Sequence, residues 1–125
     1  MSNLHRHQAA ALIAGEMDHY RAARRTGDRP AAWRALERAH IVAQPYFAFH
    51  LSSHAHMFGF ALALGDWREA AGQLFRLALV PLGSMTGWLP AGNSGRARVS
   101  AFKPMPIPSD LAAAISQGDK TARDG

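Results

Sequence analysis

The 125-residue chain has the length of one domain, with 48% hydrophobic residues, 18% charged residues and a formal net charge of +5. It contains no cysteine, which excludes disulfides, thiolate catalysis and thiolate metal sites and leaves imidazole and carboxylate as the strong ligands. Abundant alanine with few valines and isoleucines favours helix over sheet, so a single all-α domain is expected.

The first helix is expected from about Asn3 to Arg25. Its opening, "MSNLHRHQAAALIAGEMDHY", carries no apolar run long enough for a signal h-region or a membrane span, which points to the cytoplasm; the Ala and Arg richness suggests a GC-rich bacterial coding sequence. The densest basic run, "RAARRTGDR", falls where this helix ends, and cations there complement the helix dipole. That account makes nucleic acid an unfavoured partner. The chain also lacks a Gly-rich phosphate loop, a G-x-S-x-G elbow and an aromatic-interleaved basic stripe.

The turn signal "TGD" separates the first helix from a second, with Asp28 as N-cap, Pro30 in the first turn and an end at about Gln44, before Pro45. A third helix is expected from about Tyr46 to Leu64, stopped by Gly65. A fourth starts after Asp66, with Glu69 three residues on as in a capping box, and reaches about Leu82. Tight connections imply antiparallel neighbours, either a four-helix bundle or stacked helical hairpins. The segment "LALGDWREAAGQLFRLAL" resembles the turn and first helix of a tetratricopeptide pair, although no complete 34-residue register is visible. Residues 84–108 are rich in Gly, Pro and Ser yet carry Trp88, Leu89, Val99, Phe102, Met105 and Ile107, so an extended strap across the helices is expected. A short helix from about Ser109 to Ser116 follows, and the last residues fray.

Helical periodicity assigns each helix an inward stripe. In the second helix it is Trp33, Leu36, Ile41 and Gln44, and Glu37 and His40 fall within it as an E-x-x-H pair. In the third it is Phe47, Leu51, Phe58 and Ala61, with His50 and His54 on it at i and i+4 and His56 pointing away. In the first it is Ala9, Leu12, Ile13, Tyr20 and Ala23, with Glu16 and His19 forming a second E-x-x-H pair. The fourth helix breaks the series: its stripe of Trp67, Ala71, Leu74, Phe75 and Ala78 is apolar and reads as a dry wall. His5, His7 and His56 read as surface groups, Trp33 and Trp67 as core, and Met17, Met57 and Met85 as packing residues.

Height along the helices is a second criterion. In an antiparallel hairpin, residues equally far from the turn lie opposite each other. The Glu16/His19 and Glu37/His40 pairs mirror about the "TGD" turn, and Glu37/His40 and His50/His54 mirror about Pro45. All three pairs therefore share one level. Side chains at i, i+3 or i, i+4 lie on one face about a turn apart, close enough to share a metal ion, and helical di-iron and di-manganese proteins use two E-x-x-H pairs with two further glutamates. Here the further ligands are histidines, so the match is partial. Imidazole and carboxylate donors suit zinc, iron, manganese, nickel or copper. The bland alternative is a metal-free cluster in which Glu and His satisfy each other.

The segments "WRALERAHIVAQ", "DWREAAGQLFRLAL" and "GNSGRARVSAFKPMPIPSDL", with the spaced histidines between the first two, resemble a bacterial domain-of-unknown-function family of about this length, over Trp33 to Leu111. "LERAHI" and "VSAFKPMPIP" are the most specific parts. The resemblance implies a small all-helical cytoplasmic protein in which Glu37, His40, His50 and His54 match motif positions; it implies no settled activity. Two functions remain in view. One is a helical protein binding a transition metal through Glu37, His40, His50 and His54, with Glu16 and His19 as further ligands or support. An open coordination position would permit metal-assisted hydrolysis or oxygen chemistry with a carboxylate such as Glu16 as base; a closed one suits storage, sensing or a structural role. The other is a metal-free helical-repeat adaptor for a protein partner or a second copy.

Overall fold

A computed structural model describes residues 3–86, Arg96 and residues 107–124 of the protein. Among these residues there are five helices and no strand: α1 Asn3–Arg25, α2 Arg29–Ala43, α3 Phe47–Leu64, α4 Trp67–Thr86 and α5 Ser109–Asp124. The all-α expectation holds. The boundaries follow the local signals. Asp28 caps α2 by accepting a hydrogen bond from the Ala31 amide at 3.1 Å, and Pro30 occupies the first turn, where no amide donor is required. Gly65 ends α3 at φ 70°, a left-handed conformation that glycine adopts without a Cβ penalty. Asp66 then caps α4 through the Glu69 amide at 3.0 Å.

The helices pack as successive neighbours, α1 on α2, α2 on α3 and α3 on α4, with α5 lying on α1 and α2. Short turns enforce this order, and α2 ends up at the centre. Nine of its fifteen residues are buried, four of them alanines (Ala32, Ala35, Ala39, Ala43) that let neighbouring helices approach closely. One apolar cluster joins Tyr20, Trp33, Leu36, Met57, Phe60 and Ala70 across four helices, with Tyr20 edge-on to Phe60 at 5.4 Å and Trp33 tilted on Phe60 at 5.0 Å. A second cluster, Ala9, Ile41, Val42 and Leu111, holds α5 down with Ile107 against it.

Three expectations are corrected. α4 is turned the other way: Trp67, Leu74 and Phe75 are 69%, 57% and 63% exposed, whereas Glu69, Gln73, Arg76 and Val80 are buried. α4 thus directs its polar face inward, because the layer it covers is itself polar. Phe47 is half exposed, and the buried face of α3 runs through His50, His54, Met57 and Ala61, at i, i+4, i+7 and i+11. The final helix extends to Asp124, eight residues past Ser116, and α4 continues through Pro81 to Thr86. Most of the expected strap falls on residues outside the described set; of its described residues, 84–86 belong to α4, and Arg96 and Ile107 pack against the helices.

Candidate metal centre

His40 comes from the last turn of α2, and His50 and His54 from one face of α3. The α2–α3 turn places position 40 opposite positions 50 and 54, so the three imidazoles meet. Their Nε2 atoms form a nearly equilateral triangle: 3.0 Å from His40 to His50, 3.2 Å from His40 to His54 and 3.1 Å from His50 to His54. The rings stand 4.7–4.9 Å apart, centroid to centroid, and the residues are only 1–3% exposed. These are the three groups able to hold a metal ion among the described residues, each offering one ligand atom.

The outer support comes from α4. His54 Nδ1 donates to Gln73 Oε1 at 2.7 Å, and Gln73 Nε2 donates to Glu69 Oε2 at 2.9 Å, which fixes the orientation of the amide. Arg96 Nε donates to Glu69 Oε1 at 2.6 Å, and its Nη1 reaches Glu37 Oε1 at 3.3 Å while the guanidinium lies 3.8 Å from the Trp33 ring centroid. A continuous relay thus runs from His54 to Glu37. Because His54 uses Nδ1–H towards Gln73, its Nε2 in the neutral ring carries the lone pair and directs it at the His40 and His50 nitrogens. His50 has no such support: its buried Nδ1 finds no hydrogen-bond partner.

Burial disfavours the imidazolium form. His50 is lowered from 6.5 to about 4, mainly by desolvation and then by neighbouring His54. His54 is lowered to about 4 by desolvation, which outweighs the upward pull of the Gln73 hydrogen bond; the charge of Arg76 lowers it further. Both are therefore neutral, the ligating form, at ordinary pH.

Residues 7–115 match the model of DUF3703, a protein family of unknown function. The chain belongs to this family. No curated protein and no solved structure matches it.

In this family member the six sequence-derived candidates divide. His40, His50 and His54 converge, while Glu37 faces the relay through Arg96 without joining the triangle. Glu16 and His19 lie elsewhere. Glu16 accepts from Arg38 Nε at 2.7 Å, His19 sits 3.6 Å from Glu16 with its side chain 77% exposed, and Arg38 continues to Asp110 of α5 at 2.6 Å. Arg38 precedes His40 by two residues, about 200° around α2, so Glu16 meets the far side of that helix. Asp110 first, and Glu16 after it, hold the Arg38 proton more firmly than usual, while Arg38 holds the Asp110 carboxyl below its ordinary value. This second cluster is a clamp that fixes α5 across α1 and α2.

Sequence reasoning missed Gln73 and Glu69. Their signal is an i, i+4 pair of polar residues opposite the apolar stripe of α4. His56 is exposed, as its outward position on α3 implies, with Nδ1 3.1 Å from the Ser52 carbonyl. It borders a cavity of about 70 Å³ together with Ile13, Leu36, Phe49 and Ser53, and burial lowers its pKa. None of the three clustered imidazoles lines that cavity.

Proposed function

We propose that the protein binds one transition-metal ion through the Nε2 atoms of His40, His50 and His54. The supporting observation is the triangle itself. A neutral imidazole Nε2 is either a donor or a lone-pair acceptor. With three nitrogens all within 3.2 Å of one another, at least one pair must set like against like. Three buried lone pairs facing one cation remove the conflict. For a cation about 2.0–2.1 Å from each nitrogen, a triangle of this size gives N–metal–N angles of about 95–100°, between an octahedral face and a tetrahedron.

Neutral nitrogen donors favour zinc, copper, nickel or iron(II) over magnesium or calcium, and at similar geometry copper(II) over zinc. The Gln73–Glu69 pair orients His54 and brings a buried carboxylate towards the added charge. Glu37 and Arg96 act as outer members of this support, and Glu16 and His19 belong to the α5 clamp. Burial of all three ligands favours a storage, sensing or structural ion over an open catalytic one, because a substrate would have to displace α4 to reach it.

The deciding experiment is elemental analysis of untagged protein purified without chelator, followed by titration of the metal-free protein with zinc, copper(II), nickel and cobalt(II). One ion per chain, with a cobalt(II) visible spectrum of nitrogen ligation, is expected. Absence of bound metal, together with a thermal midpoint indifferent to all four ions, would overturn the proposal in favour of a metal-free adaptor.

A further inference from the structure

The exposed face of α4 carries a pattern that the metal centre does not use. Its outward apolar residues are Trp67, Ala71, Leu74, Phe75, Ala78 and Leu82. At 100° per residue they all lie within about 50° of a single direction, and the buried Glu69, Gln73, Arg76 and Val80 lie opposite. The stripe is also palindromic. Reflection about the point between Leu74 and Phe75 exchanges Leu74 with Phe75, Ala71 with Ala78, and Trp67 with Leu82.

A two-fold interface demands that residue i of one copy meet residue j of the other while j meets i. Two α4 helices crossing antiparallel, with the axis between Leu74 and Phe75, satisfy that demand at every position of the stripe. Large residues meet large ones at the centre and the ends, and Ala71 faces Ala78 between them, where small side chains permit close approach. Charge does not oppose the pairing. Arg68 is the one exposed charged residue among residues 67–82, and its two copies would lie at opposite ends of the pair.

Area is sufficient as well. Trp67, Leu74, Phe75 and Leu82 are 69%, 57%, 63% and 59% exposed. With about 150–250 Å² for each large side chain they present on the order of 500 Å² of apolar surface per copy. The pair would bury on the order of 1,000 Å² before the flanks are counted, at the threshold of a specific interface. A contiguous apolar patch of this size is at the upper end of what a monomer leaves uncovered.

We infer that the protein self-associates through α4, as an antiparallel two-fold dimer centred between Leu74 and Phe75. This holds whether or not metal is bound, since the seam and the imidazoles occupy opposite faces of α4. Sedimentation equilibrium tests it on the full chain. Wild type should show a reversible dimer of twice the 13.5 kDa chain mass. Leu74→Glu with Phe75→Glu should weaken association at least about 100-fold, because like charges then oppose across the axis. Leu74→Glu with Phe75→Lys should restore the dimer, since position 74 faces position 75 of the other copy; a parallel pair would set like against like at both positions. Both variants alter exposed side chains, and an unchanged far-UV circular dichroism spectrum checks their fold. A wild type that stays monomeric at 200 µM overturns the inference, as does a dimer insensitive to the Glu/Glu variant or a Glu/Lys variant that fails to associate. A monomer that co-sediments with phosphatidylcholine–phosphatidylglycerol vesicles would assign the face to a lipid surface and also overturn it.

Discussion

Two clusters of histidine, carboxylate and cation lie on opposite sides of α2, and only one has the form of a metal site. On one side, His40, His50 and His54 are almost fully buried and direct like atoms at one another. On the other, Glu16, Arg38 and Asp110 alternate in charge, with the exposed His19 imidazole 3.6 Å from Glu16. In the second cluster each carboxylate already has a cation, so no further positive charge is required. In the first, three like nitrogen atoms face one another at 3.0–3.2 Å. The contrast shows that residue type and level alone do not bring donor atoms together; shared direction and burial do.

Removing a ligand should sharpen this contrast most. His54→Ala, and independently His40→Ala, should lower bound metal from one equivalent to near zero, a loss of about 10³-fold or more in affinity, read by elemental analysis and competition with a chromophoric chelator. Glu16→Ala should leave the metal content unchanged. If both positions affected metal equally, the two clusters would be one site.

Acid titration of the metal-free protein should produce the next largest effect. His50 and His54 bind protons near 6.5 in the unfolded chain and near 4 in the folded one. Between those values the unfolded state holds more protons, so folding stability falls as pH decreases from about 6.5 to about 4 and is independent of these groups above that window. One pKa unit corresponds to about 1.4 kcal/mol, so the fall is on the order of a few kcal/mol, measurable by urea unfolding at pH 7, 5.5 and 4.5. His50→Phe should flatten it. Because His50 and His54 are already neutral at pH 7, metal binding there should release few protons from these two groups, and calorimetric enthalpies in buffers of different ionisation heat should differ little on their account.

Gln73→Leu addresses the support from α4. It keeps the volume but removes the acceptor from His54 Nδ1 and a donor to Glu69. Metal affinity should drop about 10–100-fold while one equivalent still binds at saturation. An unchanged affinity would mean that α4 merely covers the imidazoles.

Much of the α2–α3 half of this site could be read from the chain. Pro45 fixes where α2 stops, the 3.6-residue period places His50 and His54 on one face, and reflection about the turn sets His40 opposite them. The same reflection did place Glu16 at the level of α2, but there it found Arg38: a position two residues from His40 shares its height and faces the other way. The contribution of α4 was hidden for a different reason. Apolar stripes are assigned inward because most helices cover apolar layers, and α4 covers a polar one, so the pattern puts Trp67, Leu74 and Phe75 inside and leaves Glu69 with a capping role alone. Arg96 was illegible because nothing local in a Gly- and Ser-rich segment connects it with Trp33 and Glu69.

On the clamp side, Glu16→Ala should cost about 1–3 kcal/mol, because Glu16 is 8% exposed and its removal leaves the partly buried Arg38 without one of its two carboxylates. Loosening of α5, detectable as faster amide exchange in residues 109–117, should accompany that loss.

His19→Ala should be the mildest change. Its imidazole is 3.6 Å from Glu16 and largely in solvent, where an ion pair gains little over hydration and is screened by salt. Stability should shift by no more than about 0.5 kcal/mol, and metal affinity should not move at all. The second half of that outcome discriminates. Glu16 and His19 repeat the E-x-x-H spacing of Glu37 and His40, so a ligand role for the motif as such would make both histidines matter. Only His40 meets two other imidazoles on the face where it points, and His19 points outward from a helix whose carboxylate is already engaged. Any measurable loss of metal in His19→Ala would therefore count against the separation of the two clusters by α2.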